Sequence, residues 1–558
     1  MNIDTAQNNW IDKVTGSAIW AAYGDALGFI SELTSPKILQ QRIGGSTIKH
    51  TTSWSKRIGG KFGITVALPP GSYSDDTQLR LAVCRAISAK GFFDVDAFAS
   101  LELPVWLTYK LGSGISTKVA AEYLSKRAVH WNTNFYQGKA TYIQAGGNGV
   151  AMRIQPHVWS MHVDSSETDL IAQVIQDAVV THGHPRAILG GVFHSLCLRH
   201  AMLKDEIPSI ADWMLFLKML ESIPDLVKSD HDLNYLWLPA WQNQSNLDFA
   251  SACMEVIEEF KFDIKILEKQ GRIKTEQDYR RAVLSLGGLK GETRGSGTKT
   301  ALLASLLAII AEGNPEKAVL MSANAIGSDS DTIGTMAGSL AGSLSTSMPN
   351  FPLQDIEYIK HEAERVALVR FDKADTTYSY PDLLNWKSPD TFSDSLFESG
   401  GNIFMSGLGP IELKGDPVWL DEVGWQWGTL SFGQSVFVKR RKKIEPGLPA
   451  YGSYTKVERS VEHSLKQQQP PMQKQSPLKQ GDFRVPRELL VDEAFEEVRQ
   501  ANFHPLLIGK LLLQLSEGNN GVDKAIGFAA LVSKARNAYV KKAQGSKPSD
   551  QKLAQQKD

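Results

Sequence analysis

The stretch Gly327-Ser328-Asp329-Ser330-Asp331-Thr332 stands directly before a segment of small and apolar residues, 333–344. Two carboxylates at positions i and i+2, with hydroxyls between and beside them, can converge on one hard cation. Gly327 gives the backbone the freedom for such a turn. The Gly/Ala/Ser-rich segment lacks the apolar length of a membrane span. It predicts instead a tightly packed core helix that carries oxygen ligands at its N-terminal end.

A second acidic cluster, Ser74-Asp75-Asp76-Thr77, precedes an apolar stripe over residues 79–87 and therefore marks the start of another helix. Serine and aspartate are good N-caps, so one aspartate has a purely structural explanation. Two successive aspartates with flanking hydroxyls are more than a cap needs. Brought together, the two clusters could hold a two-metal site, which makes a metal-dependent hydrolase the leading hypothesis.

Three further motifs are candidates for the same site. In Gly24-Asp25-Ala26-Leu27-Gly28 we expect Gly28 to end a helix, which places Glu32 in the following loop, facing a cleft or simply solvated. Gly146-Gly147-Asn148-Gly149 predicts a glycine loop that enters a helix and presents backbone N–H groups to a phosphate. His182 lies just before a helix that begins at Pro185, where a structural or substrate-contacting role is favoured over metal binding.

The composition is that of a soluble globular protein: 558 residues, 42% hydrophobic, 22% charged and a formal net charge of −1. A net charge this close to zero creates no long-range electrostatic attraction to nucleic acid or to a membrane surface. Cys84, Cys197 and Cys253 are widely spaced without a CxxC pair, which argues against a disulfide framework or zinc site and favours a cytoplasmic location. The polar N-terminus does not resemble a signal peptide.

The predicted fold is mainly α. Residues 1–375 form an all-helical catalytic domain, and 376–455 a Trp/Gly-rich extension containing β-strands. Residues 456–482 are a disordered linker, 483–545 a helical module and 546–558 a disordered tail. The helical module could recruit a protein partner or pack on the catalytic domain. The basic run 439–443 binds nucleic acid or an acidic partner, or is a solvated charge run.

Four ordered motifs between Ile11 and Arg370 resemble the ADP-ribosylglycohydrolase family: the Gly24–Gly28 block with Glu32, the first acidic cluster, the glycine loop through Arg153, and the second acidic cluster. The resemblance implies an all-helical fold with two Mg²⁺ or Mn²⁺ ions in a central cleft. By position, it implies the metal ligands Ser74, Asp75, Asp76, Asp329, Asp331 and Thr332. It also implies that the glycine loop cradles the ADP-ribose diphosphate and that His182 lies near the substrate. The chain departs from the family at Ser74, where threonine is usual, and at Ser328, where glycine is frequent.

The reaction implied is hydrolysis of the glycosidic bond at the distal ribose of an ADP-ribosyl group on a protein or nucleic acid. The carboxylate that moves protons is expected to be Glu32, with Asp329 or Asp76 as alternatives. Arginine, serine, nucleic acid and O-acetyl-ADP-ribose stay open as acceptors. The basic insert 44–71, with Trp54 and Lys56, lines the cleft or is an exposed loop. Two other functions stay open: a non-catalytic ADP-ribose-binding adaptor and another metallohydrolase, such as a phosphoesterase.

Overall fold

The computed structural model describes residues 3–60, 63–271, 273–447, 449–457, 490–500, 505–516 and 520–544. Helices dominate, as predicted, and strands are concentrated after residue 375. The chain divides into two compact units, Met1–Val461 and Glu462–Asp558. Among the described residues, no helix combines the length and apolarity that a membrane span requires.

Most helices of the first unit begin at a side-chain N-cap or at a proline in the first turn, as at Ser166, Asp248, Asn314 and Pro185. The α-helices of this unit are Ile3–Ser31, Pro36–Ile43, Asp75–Ala86, Val95–Ala97, Leu103–Trp106, Ile115–Leu124, Gln155–Trp159, Glu167–Thr181, Pro185–Lys204, Ile210–Leu220, Ile223–Ser229, Leu238–Ser245, Phe249–Lys269, Glu276–Ser285, Gly297–Ile310, Pro315–Asn324, Ser330–Gly342 and Ile356–Val369. Short π-helices cover Phe98–Glu102 and Leu233–Trp237, and 3₁₀ turns cover Trp131–Thr133 and Tyr142–Gln144.

Helices Ile3–Ser31 and Ser330–Gly342 touch backbone to backbone along an antiparallel seam. A Cβ atom on Gly16 would lie 2.4 Å from the carbonyl oxygen of Gly342, and one on Gly24 would lie 2.3 Å from that of Gly334. Only glycine leaves room for such an approach. The small-residue segment is therefore the tightly packed core helix that its composition predicts.

Gly28 does not end the first helix, and that prediction was wrong. The helix continues to Ser31, and a Cβ on Gly28 would lie 2.3 Å from the Cα of Asp331. Gly28 is needed for this close approach to the neighbouring helix rather than for a helix terminus. Helix packing therefore decides the conformation where the local sequence indicates a cap.

A β-hairpin interrupts the domain that was predicted to be all-helical. Strands Trp54–Ile58 and Ile64–Leu68 pair antiparallel within the basic insert. The alternation of buried Ile64, Val66 and Leu68 with exposed residues is the period-2 pattern of a half-buried strand. Five residues, 59–63, separate the strands, and the first two, Gly59 and Gly60, are both at positive φ.

The remaining strands follow the last helix of the unit. A six-stranded sheet has the order Ser435–Arg441, Val423–Leu430, Gly409–Leu420, Asn402–Met405, Leu396–Ser399 and Glu445–Pro446. Its neighbours are antiparallel except the last pair, which is parallel. A second, two-stranded sheet pairs Thr376–Ser379 with Ser453–Lys456. The sheet region thus contains the β-strands that the Trp/Gly-rich composition predicts.

A buried polar network fastens this sheet region to the helices. Arg85 binds both carboxylate oxygens of Glu102 at 2.7 and 2.8 Å, and both side chains are fully buried. The same guanidinium donates to Gln434 in the turn before the last long strand, at 2.8 Å, and to Tyr358. Tyr380 donates to Glu102 at 2.8 Å. The helical body and the sheets therefore share one core.

The second unit contains helices Val491–Gln500, Pro505–Ser516 and Gly521–Gln544. Ala494, Val498, Leu511, Leu515, Phe528 and Val532 form its own small core. The predicted tail and, apart from Lys456 and Val457, the predicted linker lie outside the described residues. The domain boundaries drawn from the sequence stay predictions.

Candidate functional site

The first acidic cluster lies at the N-terminus of helix Asp75–Ala86. Ser74 is the N-cap, and its Oγ accepts from the Asp76 N–H at 3.3 Å. Asp25, from the first helix, accepts from the N–H groups of Ser74 and Thr77 at 2.9 Å and from the Thr77 hydroxyl at 2.6 Å. With the backbone donors satisfied by Ser74 and Asp25, the carboxylates of Asp75 and Asp76 are free of a capping role. Both of them line a cleft.

The second cluster lies at the N-terminus of helix Ser330–Gly342, against the end of the first helix. Ser330 donates to the Gly28 carbonyl at 3.0 Å, and its hydroxyl lies 3.1 Å from that of Ser31. This seam places the acidic pair beside Glu32, which follows Ser31 directly. One carboxylate oxygen from each of Glu32, Asp329 and Asp331 lies within 4.8 Å of the other two.

Arg80 joins the two cluster-bearing helices. Its guanidinium donates to Thr77 at 2.8 Å and to Thr335 at 2.7 Å. The Thr77 bond lies within the helix that carries Arg80, and the Thr335 bond crosses to the other helix, so this buried guanidinium links the two helices without exposing a cation to the cleft. The two clusters, more than 200 residues apart in sequence, thereby face one cavity.

The cavity is a cleft of about 770 Å³. Nearly all the residues predicted for the site contribute to its wall. They are Glu32, Asp75, Asp76, Gly146, Gly147, Asn148, Gly149, His182, Asp329, Asp331 and Thr332. Ser74 is the exception, since it is fully buried and its hydroxyl serves the helix cap.

The carboxylates repel one another in a poorly solvated site. Burial raises the pKa of Asp75 to about 7, and the charges of Glu32 and Asp25 add to the rise. Burial, followed by the neighbouring carboxylates, also raises the pKa of Asp76 and of Asp331 well above the ordinary range. The pKa of Asp329 is raised by the same two causes. Burial and the neighbouring charges therefore shift these four aspartates towards their neutral forms in the protein alone.

A divalent cation fits this donor set. Asp76 Oδ2 is buried and has no hydrogen-bond partner among the described residues. Buried charged oxygens are normally paired or coordinate a metal. Mg²⁺ and Mn²⁺ prefer carboxylate and hydroxyl oxygens of the kind that converge here. The cluster thus has the chemistry of a metal site.

The glycine loop lies beside the second cluster. Asn148 donates from Nδ2 to Asp329 Oδ2 at 2.9 Å, and its backbone N–H donates to the Gly295 carbonyl at 2.9 Å. Within the described chain, the N–H groups of Gly147 and Gly149 have no protein acceptor. Turns follow the loop and a helix begins only at Gln155, so the predicted direct entry into a helix was wrong.

The hairpin contributes a cation to the edge of the acidic cluster. Lys56 Nζ lies 3.6 Å from Glu32 Oε2 and 4.0 Å from the centre of the Phe29 ring. Trp54 packs edge-on against Phe29. Lys56 therefore places a positive charge of the basic insert next to the Glu32 carboxylate.

The basic run on the sheet is largely paired within the protein. Arg441 bonds to Asp394, Lys442 lies 3.0 Å from Glu422, and Lys443 lies 3.1 Å from Glu445. These contacts neutralise three of its five charges. They favour the interpretation as a solvated charge run over a nucleic-acid site.

Sequence reasoning missed Asp25 and Arg80, which hold the clusters rather than line the cleft. Asp25 lies in the quoted motif at 24–28, but nothing in one sequence separates a buried capping carboxylate from an exposed one. Arg80 lies within the apolar stripe after the first cluster, where a charge among core positions was the available signal.

Comparison with known proteins places the chain among its relatives. The family model for ADP-ribosylglycohydrolase matches residues 6–376. The ADP-ribosyl-[dinitrogen reductase] glycohydrolase of Rhodospirillum rubrum is 29% identical over 191 residues, which cover 33% of this chain and 58% of that protein. The chain therefore matches little more than half the length of this relative.

A solved structure titled ADP-ribosylglycohydrolase-related protein complex aligns with 65% of this chain and 99% of its own chain. The two are 20% identical, with a TM-score of 0.40.

Proposed function

The chain belongs to the ADP-ribosylglycohydrolase family, and from this premise we propose that it is a metal-dependent hydrolase that releases ADP-ribose from a modified acceptor. The bond cleaved is the glycosidic bond between the distal ribose and the acceptor. One observation carries the proposal: two acidic clusters and a glycine loop, distant in sequence, line one cleft. Carboxylates for cations and N–H donors for phosphates thus stand within reach of one ADP-ribosyl group.

We propose that the site binds two ions of Mg²⁺ or Mn²⁺. Their proposed ligands are Asp75, Asp76, Asp329, Asp331 and Thr332, with Ser74 as a sixth. When bound, these ions would supply positive charge for substrate oxygens and for activation of a water. The raised pKa values of the buried aspartates support this, because a cation would favour their charged forms.

Glu32 is the proposed residue for proton transfer. Its side chain is 23% exposed, so its carboxylate can exchange a proton with water or with the leaving acceptor. Asp76 and Asp329 are less suited to this task, since Asp76 is buried and Asp329 accepts a hydrogen bond from Asn148. Lys56, at 3.6 Å, limits where the Glu32 carboxylate can point.

The glycine loop is the proposed cradle for the diphosphate. The N–H groups of Gly147 and Gly149 have no acceptor in the described protein, and Gly149 lies against the imidazole of His182. Uncharged backbone donors suit a diphosphate beside an acidic site, since they bind an anion without neutralising the carboxylates. Binding energy at this end of the ligand holds the reacting ribose at the other end.

The test is release of free ADP-ribose from arginine-linked, serine-linked and nucleic-acid-linked substrates, with Mg²⁺, with Mn²⁺ and with EDTA. The proposal predicts release from at least one substrate class that stops in EDTA and resumes when metal is restored. The substrate that is cleaved identifies the acceptor. No release from any substrate, with ADP-ribose still bound in EDTA, would favour the non-catalytic adaptor instead.

A further inference from the structure

The imidazole of His182 stands between a buried polar network and the cleft. It follows helix Glu167–Thr181 directly, and its ring is 2% exposed. Its Nε2 edge faces the glycine loop, where a Cβ on Gly149 would lie 3.2 Å from Nε2. Its Nδ1 lies 2.7 Å from the Thr181 hydroxyl. The two ring nitrogens thus have separate environments, one with a protein partner and one beside the ligand loop.

The direction of the Thr181–His182 hydrogen bond follows from a third residue. Arg153 donates from Nη2 to Thr181 Oγ1 at 2.9 Å. A guanidinium has no acceptor, so the threonine oxygen must be the acceptor in this bond. The hydroxyl hydrogen is then left for His182 Nδ1, since the described residues offer it no other acceptor. The reverse direction would leave a buried hydroxyl hydrogen unpaired, which folded proteins avoid.

Arg153 is itself rigidly held. Its Nε donates to Asp177 Oδ1 at 2.8 Å, and Nη2 also donates to the Asp177 carbonyl at 2.9 Å. Its Nη1 donates to the Gly149 carbonyl at 2.8 Å. One buried cation therefore fixes the glycine loop and, through Thr181, the histidine that lies against it.

We propose that Arg153 and Thr181 are positioning residues that hold His182 as the Nε2–H tautomer, so that a neutral imidazole donates a hydrogen bond from the cleft wall to an oxygen of the ADP-ribosyl group. The inference rests on the proposed function for the identity of the ligand. In the described chain no residue bonds to Nε2, which leaves its hydrogen for that ligand.

The electrostatic surroundings agree with a neutral ring. Burial, with the charge of Arg153 added, lowers the pKa of His182 to about 3. Asp177 opposes this effect but is already paired with Arg153 and lies 3.0 Å from the Nε2 of His157. At neutral pH the ring is therefore a hydrogen-bond donor and takes no part in proton transfer, which stays with the carboxylates.

The tautomer is directly measurable in the full chain labelled with ¹⁵N-histidine, by solid-state NMR of the sedimented protein without ligand. A His182→Gln variant assigns the resonances. The proposal predicts an unprotonated Nδ1 and a protonated Nε2 for His182 at pH 7.5. A protonated Nδ1 in the wild type overturns it, whatever the protein hydrolyses.

Thr181→Val and Thr181→Ser form a matched pair, because valine keeps the shape and removes the hydroxyl while serine keeps the hydroxyl. We expect Thr181→Val to lose the Nδ1 signature and to bind ADP-ribose about tenfold more weakly by calorimetry in EDTA. Thr181→Ser should restore both. Equal ADP-ribose affinity in Thr181→Val and wild type overturns the positioning role.

The two proposals fail separately. If the wild type releases no ADP-ribose but shows the predicted tautomer and the valine–serine difference in binding, the positioning role stands and the hydrolase fails. If Thr181→Val does not fold, the wild-type spectrum and the serine variant still decide the tautomer.

Discussion

Replacing Asp75 with asparagine should stabilise the metal-free protein, although it removes a proposed metal ligand. In the folded state the pKa of Asp75 rises from 3.8 to about 7, chiefly because of burial. A rise of about 3 pH units corresponds to about 4 kcal/mol of unfavourable free energy when the group is charged. The side chain is only 7% exposed, so solvent screens this cost little. Asparagine keeps the shape and removes the charge.

The size of the effect depends on pH, while its sign stays the same. The folded-state pKa lies above the unfolded value, so the carboxylate costs nothing below about pH 4, and its cost grows as the pH rises to about 7. At pH 8 the full cost of up to about 4 kcal/mol applies, and at pH 5 about 1–2 kcal/mol of it remains. For the unit Met1–Val461, an unfolding entropy near 1 kcal/mol/K converts 4 kcal/mol to about 4 °C in Tm.

Calorimetric unfolding in EDTA at pH 5 and pH 8 measures this difference, with Asp416→Asn as the control because Asp416 is exposed on the sheet. Added Mn²⁺ should then stabilise the wild type by about 2.7 kcal/mol at a concentration 100 times Kd, and Asp75→Asn by less. The reasoning is refuted if metal-free Asp75→Asn unfolds at or below the wild-type temperature at pH 8. It is also refuted if the difference is the same at both pH values.

Three further changes have defined outcomes. Glu102→Gln should lower the free energy of unfolding by about 3–5 kcal/mol in urea titrations, because Arg85 is left buried without its counter-charge; a loss below about 1 kcal/mol would contradict this. Burial lowers the pKa of His194 to about 3 from 6.5, so the unfolded chain gains a proton as pH falls below 6.5 and the folded protein does not. His194→Gln should therefore lose about 2 kcal/mol less stability than the wild type between pH 8 and pH 5, and an equal loss would count against a neutral buried ring. Gly28→Ala should abolish stabilisation by Mn²⁺, since the added carbon would lie 2.3 Å from the Asp331 Cα. Gly45→Ala is the control. If Gly28→Ala is stabilised by Mn²⁺ as much as this control, the contact between helices Ile3–Ser31 and Ser330–Gly342 does not position the acidic cluster.

The sequence alone predicted the acidic residues and the glycine loop that line the cleft, because paired aspartates are unusual where helices begin. The paired aspartates at 75–76 and at 329 and 331 exceed what N-capping requires, and both pairs lie where helices start. Their convergence did not follow from local pattern. It depends on the backbone contact between helices Ile3–Ser31 and Ser330–Gly342, which is a long-range property of the fold.

The differences from prediction have physical causes. Gly28 has the features of a helix terminus in sequence, yet tertiary contact with Asp331 keeps it within a helix. The hairpin Trp54–Leu68 was missed because its first strand is basic and only its second strand has a clean apolar alternation. Asp25 escaped notice because its role is to cap a helix 50 residues away.

The central claim is that the acidic cleft holds the cations that hydrolysis needs. The most direct measurement is the Mg²⁺-dependent release of ADP-ribose by Asp331→Asn, beside Glu292→Gln, which changes an acidic residue of the same cleft outside the cluster. We expect Asp331→Asn to fold with wild-type circular dichroism and to lose about 100-fold or more of the rate, with Glu292→Gln within a few-fold of wild type. Wild-type release by a folded Asp331→Asn protein would contradict the account.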